Sequence, residues 1–344
     1  MSVRFAVIGI NHGHIYGMVA HMLRAGAEFV TWYAEEEDLS AAFASKFDTV
    51  PRADSVDRIL EDESIHLILS ASIASERAPL GVRAMRLGKD VMVDKPGMTS
   101  LGQLDEVRKV QAETGRIYSV CFSEHYDTAC TVEAGRLVQE GAIGRVVQTL
   151  GTGPHRAGVA GRPDWFFRKE KYGGILTDIG SHQAEQFLFF TDSTEAEVVS
   201  STVANYRYPQ YPELEDFGEM SFRGNGGHGY VRLDWYTPDG LSTWGDGRLV
   251  ILGTEGYIEL RKYVDVARER RGDHLFLVDQ KGERYIDCAG LDLPYGRQLV
   301  HDIQHRTWTH TPQERTFLAM ELALKAEIAA ARLGNLSEAG TRSV

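Results

Sequence analysis

Over its first third the chain alternates short, nearly unbroken apolar runs with stretches of helical spacing. Val3–Gly9 reads as a buried strand, because a strand covered on both faces shows no polar alternation and this one stops on glycine. His14–Arg24 follows with apolar residues at helical spacing (Ile15, Met18, Val19, Met22, Leu23) and stops before Gly26. The same rhythm predicts strands at Phe29–Ala34, His66–Ser70, Asp90–Val93 and Ile117–Phe122. It predicts helices at Leu39–Phe47, Val56–Glu61, Pro79–Leu87 and Leu101–Glu113. Strands and helices alternating through short links imply a doubly wound α/β fold, a parallel sheet with helices on both faces.

After about residue 123 the pattern changes. A helix at Thr131–Glu140 and a strand at Val146–Gly151 lead into an irregular stretch, Pro154–Gly173, rich in glycine, arginine and aromatic residues. A helix at Ser181–Phe190 precedes strands at Val198–Tyr208, Asp216–Phe222, Gly229–Trp235, Leu249–Gly253, Tyr257–Arg261, Leu275–Asp279 and Arg284–Ile286, split by Gly, Pro and Asp turns. Helices at Pro294–Thr307 and Pro312–Leu333 close the chain, the second with an apolar stripe of Phe317, Met320, Leu324 and Ile328. The expected organisation is two domains: an α/β domain over 1–123, and an α+β domain over 124–344 built on a mostly antiparallel open sheet.

Composition narrows the function classes. The 344 residues carry 37 Lys+Arg against 49 Asp+Glu, a formal charge of −12. That balance argues against nucleic acid or an anionic membrane surface as partner, since both need a positive field. Three widely spaced cysteines make neither a disulfide framework nor a metal cage and fit a reducing compartment. Met1–Ile10 lacks the charged leader of a signal peptide, and no apolar run approaches the roughly 20 residues that span a bilayer. A cytoplasmic protein is the expectation.

Three constellations carry candidate chemistry. Gly9-Ile10-Asn11-His12-Gly13 lies between a strand and a helix, where backbone N–H groups and a helix N-terminus can meet a pyrophosphate. A tight turn that binds nothing reads the same way, and His12 and His14 are not taken as a metal pair. Glu35, in the acidic run closing the second strand, is placed to accept the hydroxyls of an adenosine ribose and to repel a 2′-phosphate. An acidic run that complements a helix dipole fits as well. Asp94-Lys95-Pro96 puts a lysine at the carboxyl end of a parallel strand, where open α/β sheets bind ligands. Asp178, His182 and Glu185 follow Gly173-Gly174 at helical spacing, so a carboxylate and an imidazole share a face and could move a proton. The bland alternative is a capping aspartate with an ordinary polar histidine. None of these groups has zinc-like spacing, and no metal is expected.

These motifs, in this order and spacing, make the chain similar to the glucose–fructose oxidoreductase, inositol dehydrogenase and rhizopine-catabolism (Gfo/Idh/MocA) family: Gly9 after the first strand, Asp94-Lys95-Pro96, and Gly173-Gly174-x-Leu176-x-Asp178-x-Gly180-x-His182-x-x-Glu185. The resemblance implies a Rossmann domain binding NAD, with NADP as a second possibility, through Gly9, Asn11, His12, Gly13, Glu35, Ser72, Lys95 and Pro96. It implies hydride transfer to or from a sugar, sugar acid or cyclitol, with Lys95 before a cis-proline, His182 as acid/base and Asp178 beside it. Asn11 stands where relatives usually carry glycine, and Asp94 where they usually carry glutamate. Substrate walls are expected from Glu124, His125, His155, Arg156, Trp165 and Arg168, with a homodimer or homotetramer built through the second sheet. Two rival readings share the same residues: a redox-neutral NAD-using sugar lyase or hydrolase, and a non-catalytic ligand sensor.

Overall fold

The computed structural model describes residues 2–334 and shows two compact units. Of the described residues, the first comprises those from Ser2 to Cys121 together with Pro294–Phe317; the second comprises Phe122–Leu293 and those from Leu318 to residue 334. In the first unit, strands β1 (Arg4–Ile8), β2 (Glu28–Tyr33), β3 (Leu67–Ser70), β4 (Asp90–Asp94) and β5 (Tyr118–Cys121) form a parallel sheet in the order β2-β1-β3-β4-β5. All residues of β3, β4 and β5 are buried, which is why these strands read as continuous apolar runs. Helices α1 (Ile15–Arg24), α2 (Glu37–Lys46), α3 (Val56–Glu61), α4 (Ala74–Arg86) and α5 (Leu101–Thr114) connect them.

Helix α4 starts five residues before the predicted Pro79–Leu87 and holds Pro79 in its interior. Proline there leaves the carbonyl one turn back without its helical donor. That carbonyl, Ser75 O, instead accepts from the Gln103 side chain of α5 at 2.8 Å.

The second unit opens with α6 (Ser123–Tyr126), a four-residue helix absent from the sequence-based expectation, and α7 (Ala129–Gln139). Short helices α8 (Lys169–Tyr172) and α9 (Ile175–Asp178) precede α10 (Gly180–Thr191). The strands are β6 (Val146–Pro154), β7 (Ala196–Ala204), β8 (Phe217–Gly224), β9 (His228–Asp234), β10 (Arg248–Gly253), β11 (Tyr257–Arg261), β12 (His274–Asp279) and β13 (Gly282–Asp287). After α11 (Tyr295–His305) and α12 (Gln313–Ala329), Ala331–Arg332 forms β14 and completes a sheet ordered β13-β12-β11-β10-β6-β9-β8-β7-β14. Neighbours are antiparallel except β6–β9 and β7–β14.

One face of this sheet carries α10, and β6 is fitted to it. A Cβ on Gly151 would lie 2.4 Å from Gln183 Oε1, and one on Gly153 would lie 3.1 Å from Ile179, so glycine at both positions lets the helix approach. The other face exposes Leu150, Tyr230, Leu252 and Tyr257. Helix α12 ends four residues short of the predicted Leu333, because the open edge of β7 offers Ala331–Arg332 a ladder to join. Ile328 is 69% exposed, so the predicted stripe buries only Phe317, Met320 and Leu324. No helix among the described residues is long and apolar enough to cross a membrane.

Candidate active site

In the first unit the turn after β1 needs glycine at position 9 on two counts. Its φ is +79°, and a Cβ there would fall 2.5 Å from the Cβ of Ser72. Backbone bonds tie the turn to both neighbouring strand ends: Gly9 N to Tyr33 O, Ala71 N to Gly9 O and His12 N to Ala71 O. A Cβ at Gly13 would meet nothing within 4 Å among the described residues beyond its chain neighbours, so this corner admits a ligand against the backbone. Asn11, where a second glycine is usual, donates to Glu36 Oε1 at 2.5 Å. The carboxylate that reaches the turn is therefore Glu36; Glu35 beside it is exposed, and Glu37 is bound by Arg52. The glycine cradle, the open corner and the acidic end of β2 fit a dinucleotide.

Asp94, at the end of β4, is fully buried and collects four donors. His12 Nδ1 donates to Oδ2 at 2.7 Å, His14 Nδ1 to Oδ1 at 2.9 Å, Lys95 N to Oδ1 at 2.8 Å, and Arg77 lies 3.2 Å from Oδ2. Burial alone would raise its pKa, but His14, Arg77 and His12 outweigh it and hold the carboxyl well below the usual range. Burial, with His14 second, takes His12 down to about 4, so at neutral pH His12 is an uncharged imidazole whose Nδ1 hydrogen is fixed by Asp94. Arg77, from the first turns of α4, also donates to the carbonyls of Ser72, Lys95 and Pro96 across the cis Lys95–Pro96 bond. Two loops that sequence analysis assigned to the cofactor are thus tied together by one arginine it did not single out. Lys95 itself is 5% exposed.

In the second unit the Gly173-Gly174 pair serves packing. Both residues have φ above +90°, and a Cβ on Gly174 would lie 2.2 Å from the Glu327 carboxyl carbon. Glu215 Oε2 accepts from Ile175 N at 3.1 Å and Glu327 Oε2 from Leu176 N at 3.0 Å, which caps the opening turn of α9. Lys169 bridges the two carboxylates at 2.6 and 2.5 Å. The backbone stays helical through Ile179, so Asp178 and His182 lie one turn apart on a nearly continuous helix.

His182 is 1% exposed, with the Phe122 ring edge-on at 6.2 Å. Its neighbourhood includes a buried charged network. Glu124 Oε2 accepts from Lys262 Nζ at 2.8 Å and from Gln183 Nε2 at 2.7 Å, while Lys262 also donates to Gln186 Oε1 at 2.7 Å. Burial would raise Glu124, yet Lys262 first, then His182 and His155, bring it down to about 2. Its Oε1 is buried and has no hydrogen-bond partner among the described residues. Glu185 does not share this network; it binds His125 Nδ1 through both oxygens, at 2.9 and 3.1 Å, and so fixes that imidazole's tautomer.

Within 154–173, His155 Nδ1 donates to Gly153 O at 3.1 Å, and its ring packs 4.4 Å from Trp244 and 5.4 Å from Trp235. Trp165 is half-buried, edge-on to Phe166. Arg156 donates to the carbonyls of Pro238, Leu241 and Thr243, and exposed Arg168 pairs with Glu213. Lys262 was legible in principle: it continues the alternation of buried Ile258 and Leu260 onto the covered face.

Comparison with known proteins follows the same division. Residues 3–122 match the oxidoreductase family with an NAD-binding Rossmann fold, and residues 131–259 match the GFO/IDH/MocA C-terminal domain. A crystal structure of a protein from Erwinia carotovora atroseptica SCRI1043 superposes with a TM-score of 0.94 at 47% identity, covering 97% of this chain and 100% of that one. The scyllo-inositol 2-dehydrogenase (NAD(+)) of Bacillus subtilis is 25% identical over 72% of this chain and 68% of its own length. The D-xylose dehydrogenase of Paenarthrobacter nicotinovorans is 31% identical over 37% of this chain, and that match spans about a third (34%) of the relative.

Proposed function

Because the chain belongs to the GFO/IDH/MocA oxidoreductase family and carries its NAD-binding Rossmann domain, we propose that it interconverts an alcohol and a ketone on a sugar, sugar acid or cyclitol with NAD as cofactor. The observation that carries this reading is the placing of Lys95 and His182. Both are buried, at 5% and 1% exposure, within frames of charged side chains. The inositol and xylose dehydrogenases among the relatives supply the substrate class.

Gly9, Asn11, His12 and Gly13 would hold the pyrophosphate, Glu35 and Glu36 the adenosine ribose, and Ser72, Lys95 and Pro96 the nicotinamide ribose. The carboxylates ending β2 favour NAD by repelling a 2′-phosphate. When bound, the nicotinamide supplies the hydride acceptor or donor. His182 takes the hydroxyl proton in oxidation and returns it in reduction. The Lys95 cation would stabilise negative charge that develops on an alcohol oxygen held beside it, where exclusion of water strengthens the interaction. Asp178 stands one helical turn from His182 on the same helical run. Glu124, His125, His155 and Trp165 wall the substrate, and Arg156 and Arg168 brace the loops behind them. The apolar outer face of the nine-stranded sheet, with Leu150, Tyr230, Leu252 and Tyr257 exposed, is the surface for a homodimer or homotetramer.

The test is a screen of sugars, sugar acids and inositols with NAD+ and NADP+, followed at the NADH absorbance band. Net NADH formation from at least one compound is expected, with NAD+ preferred over NADP+ by about tenfold or more, the effect of one unfavourable charge contact of about 1.4 kcal/mol. Substrate turnover on tightly held cofactor without net NADH would replace this reading with redox-neutral chemistry.

A further inference from the structure

Three arginines lie in the stretch 154–173, and the structure uses them differently. Arg156 is committed to three loop carbonyls and lies 3.4 Å from Asp239; Arg168 is paired with Glu213 at 3.2 Å. Arg162 is neither. Its Nε donates to Ala157 O at 2.9 Å, and its guanidinium carbon lies 4.3 Å from the Phe166 ring centre and 5.2 Å from that of Trp235. The Nε bond and the two aromatic faces fix the plane of the group. Among the described residues its terminal nitrogens have no hydrogen-bond partner and no carboxylate stands within ion-pair distance. Asp178 acts on it electrostatically from farther away, and burial pushes its pKa down.

The guanidinium is half-buried with its plane fixed, and its two terminal nitrogens are unpartnered among the described residues and still reachable, so they can meet an incoming anion. Its two terminal nitrogens form the planar fork that a carboxylate matches with two parallel hydrogen bonds. One unpaired positive charge balances one negative charge, whereas a phosphate dianion would add a second beside Asp178. We propose that Arg162 is the anion anchor of the substrate pocket, and that the substrate is a polyhydroxy carboxylic acid whose carboxylate takes both terminal nitrogens. The oxidation of that acid rests on the dehydrogenase reading above; its binding does not.

The experiment measures binding to the full chain by titration calorimetry, using D-gluconate, D-galactonate, D-glucuronate and D-galacturonate beside uncharged D-glucose and D-galactose, with NADH present. The proteins are wild type, Arg162→Met and Arg162→Lys, with NADH affinity as the check that each variant folds. At least one acid is expected to bind more tightly than its uncharged counterpart. Arg162→Met is expected to weaken that acid roughly 10- to 100-fold, as loss of hydrogen bonds to a charged group does, with partial recovery in Arg162→Lys. The uncharged sugars are expected to change less than about threefold, well under the 1.4 kcal/mol of a tenfold loss. Binding of no acid, or equal losses for acids and neutral sugars, overturns the proposal. Arg162-dependent acid binding without NADH formation in the presence of NAD+ would keep the anchor and remove the dehydrogenase. NADH formation from a neutral sugar at unchanged KM in Arg162→Met would do the reverse.

Discussion

Glu124 is an ionised carboxylate with 2% exposure, and what keeps it charged is specific. Lys262 and Gln183 supply its hydrogen bonds, and the positive character of His182 and His155 adds to them. The interaction is mutual, so the Glu124 charge favours the protonated imidazole of His182. Glu124→Gln keeps the shape and removes the charge. In the proposed oxidation a neutral His182 would be the base, so the acidic limb of the kcat/KM profile is expected to move to lower pH in Glu124→Gln. An unmoved limb in an active variant would show that Glu124 does not act on the proton-transfer group. Lys262→Met is a harsher change, since it strands a buried charge, and comparing the two separates electrostatics from folding.

The element that matters most is the helical segment from Ile175 through α10, because it carries Asp178 and His182. Its start is set by three features together: Gly174 in a conformation reserved for glycine, and the Glu215 and Glu327 carboxylates on the first backbone N–H groups. Burial first, and Glu215 second, push Glu327 up to about 7 against the pull of Lys169. Since this native-state value lies above the ordinary 4.5, the native protein binds the proton more tightly than the unfolded chain. The contribution is full below about pH 4.5 and is lost as pH rises through 7. Wild type is therefore expected to lose stability between pH 5 and pH 8 relative to Glu327→Gln, by roughly 2 kcal/mol at about 1.4 kcal/mol per pKa unit. Parallel pH dependences of Tm for the two proteins would contradict it. The glycine pair of this motif was legible in sequence, but its reason was not, because Glu327 lies some 150 residues away.

At the scale of the whole molecule, periodicity made the first parallel sheet and most strands of the second readable, because burial on two faces or on one leaves a direct trace in the apolar pattern. What pattern could not show is long-range commitment. Segment Pro294–Phe317 belongs with the first unit, where Arg306 binds Asp90 and Gln313 binds the Tyr118 backbone. Nothing local in those residues announces such partners. Arg77 escaped notice for the same reason: it is an arginine on the covered side of α4, and its role appears only once β3, β4 and their loops are brought together. Of the arginines around Phe166, likewise, only their partners in the folded chain separate Arg162 from Arg156 and Arg168.

Lys95 and His182 are proposed to act in one and the same reaction. The most direct measurement is steady-state NADH formation from the best substrate of the screen by wild type, Lys95→Ala, His182→Ala and the double variant, each shown to bind NADH. Groups that act as a unit lose activity together, so each single change is expected to lower kcat at least about 10²-fold, and the double change little more than the worse single. Near-wild-type turnover in either single variant, or losses that simply multiply in the double, would contradict the account.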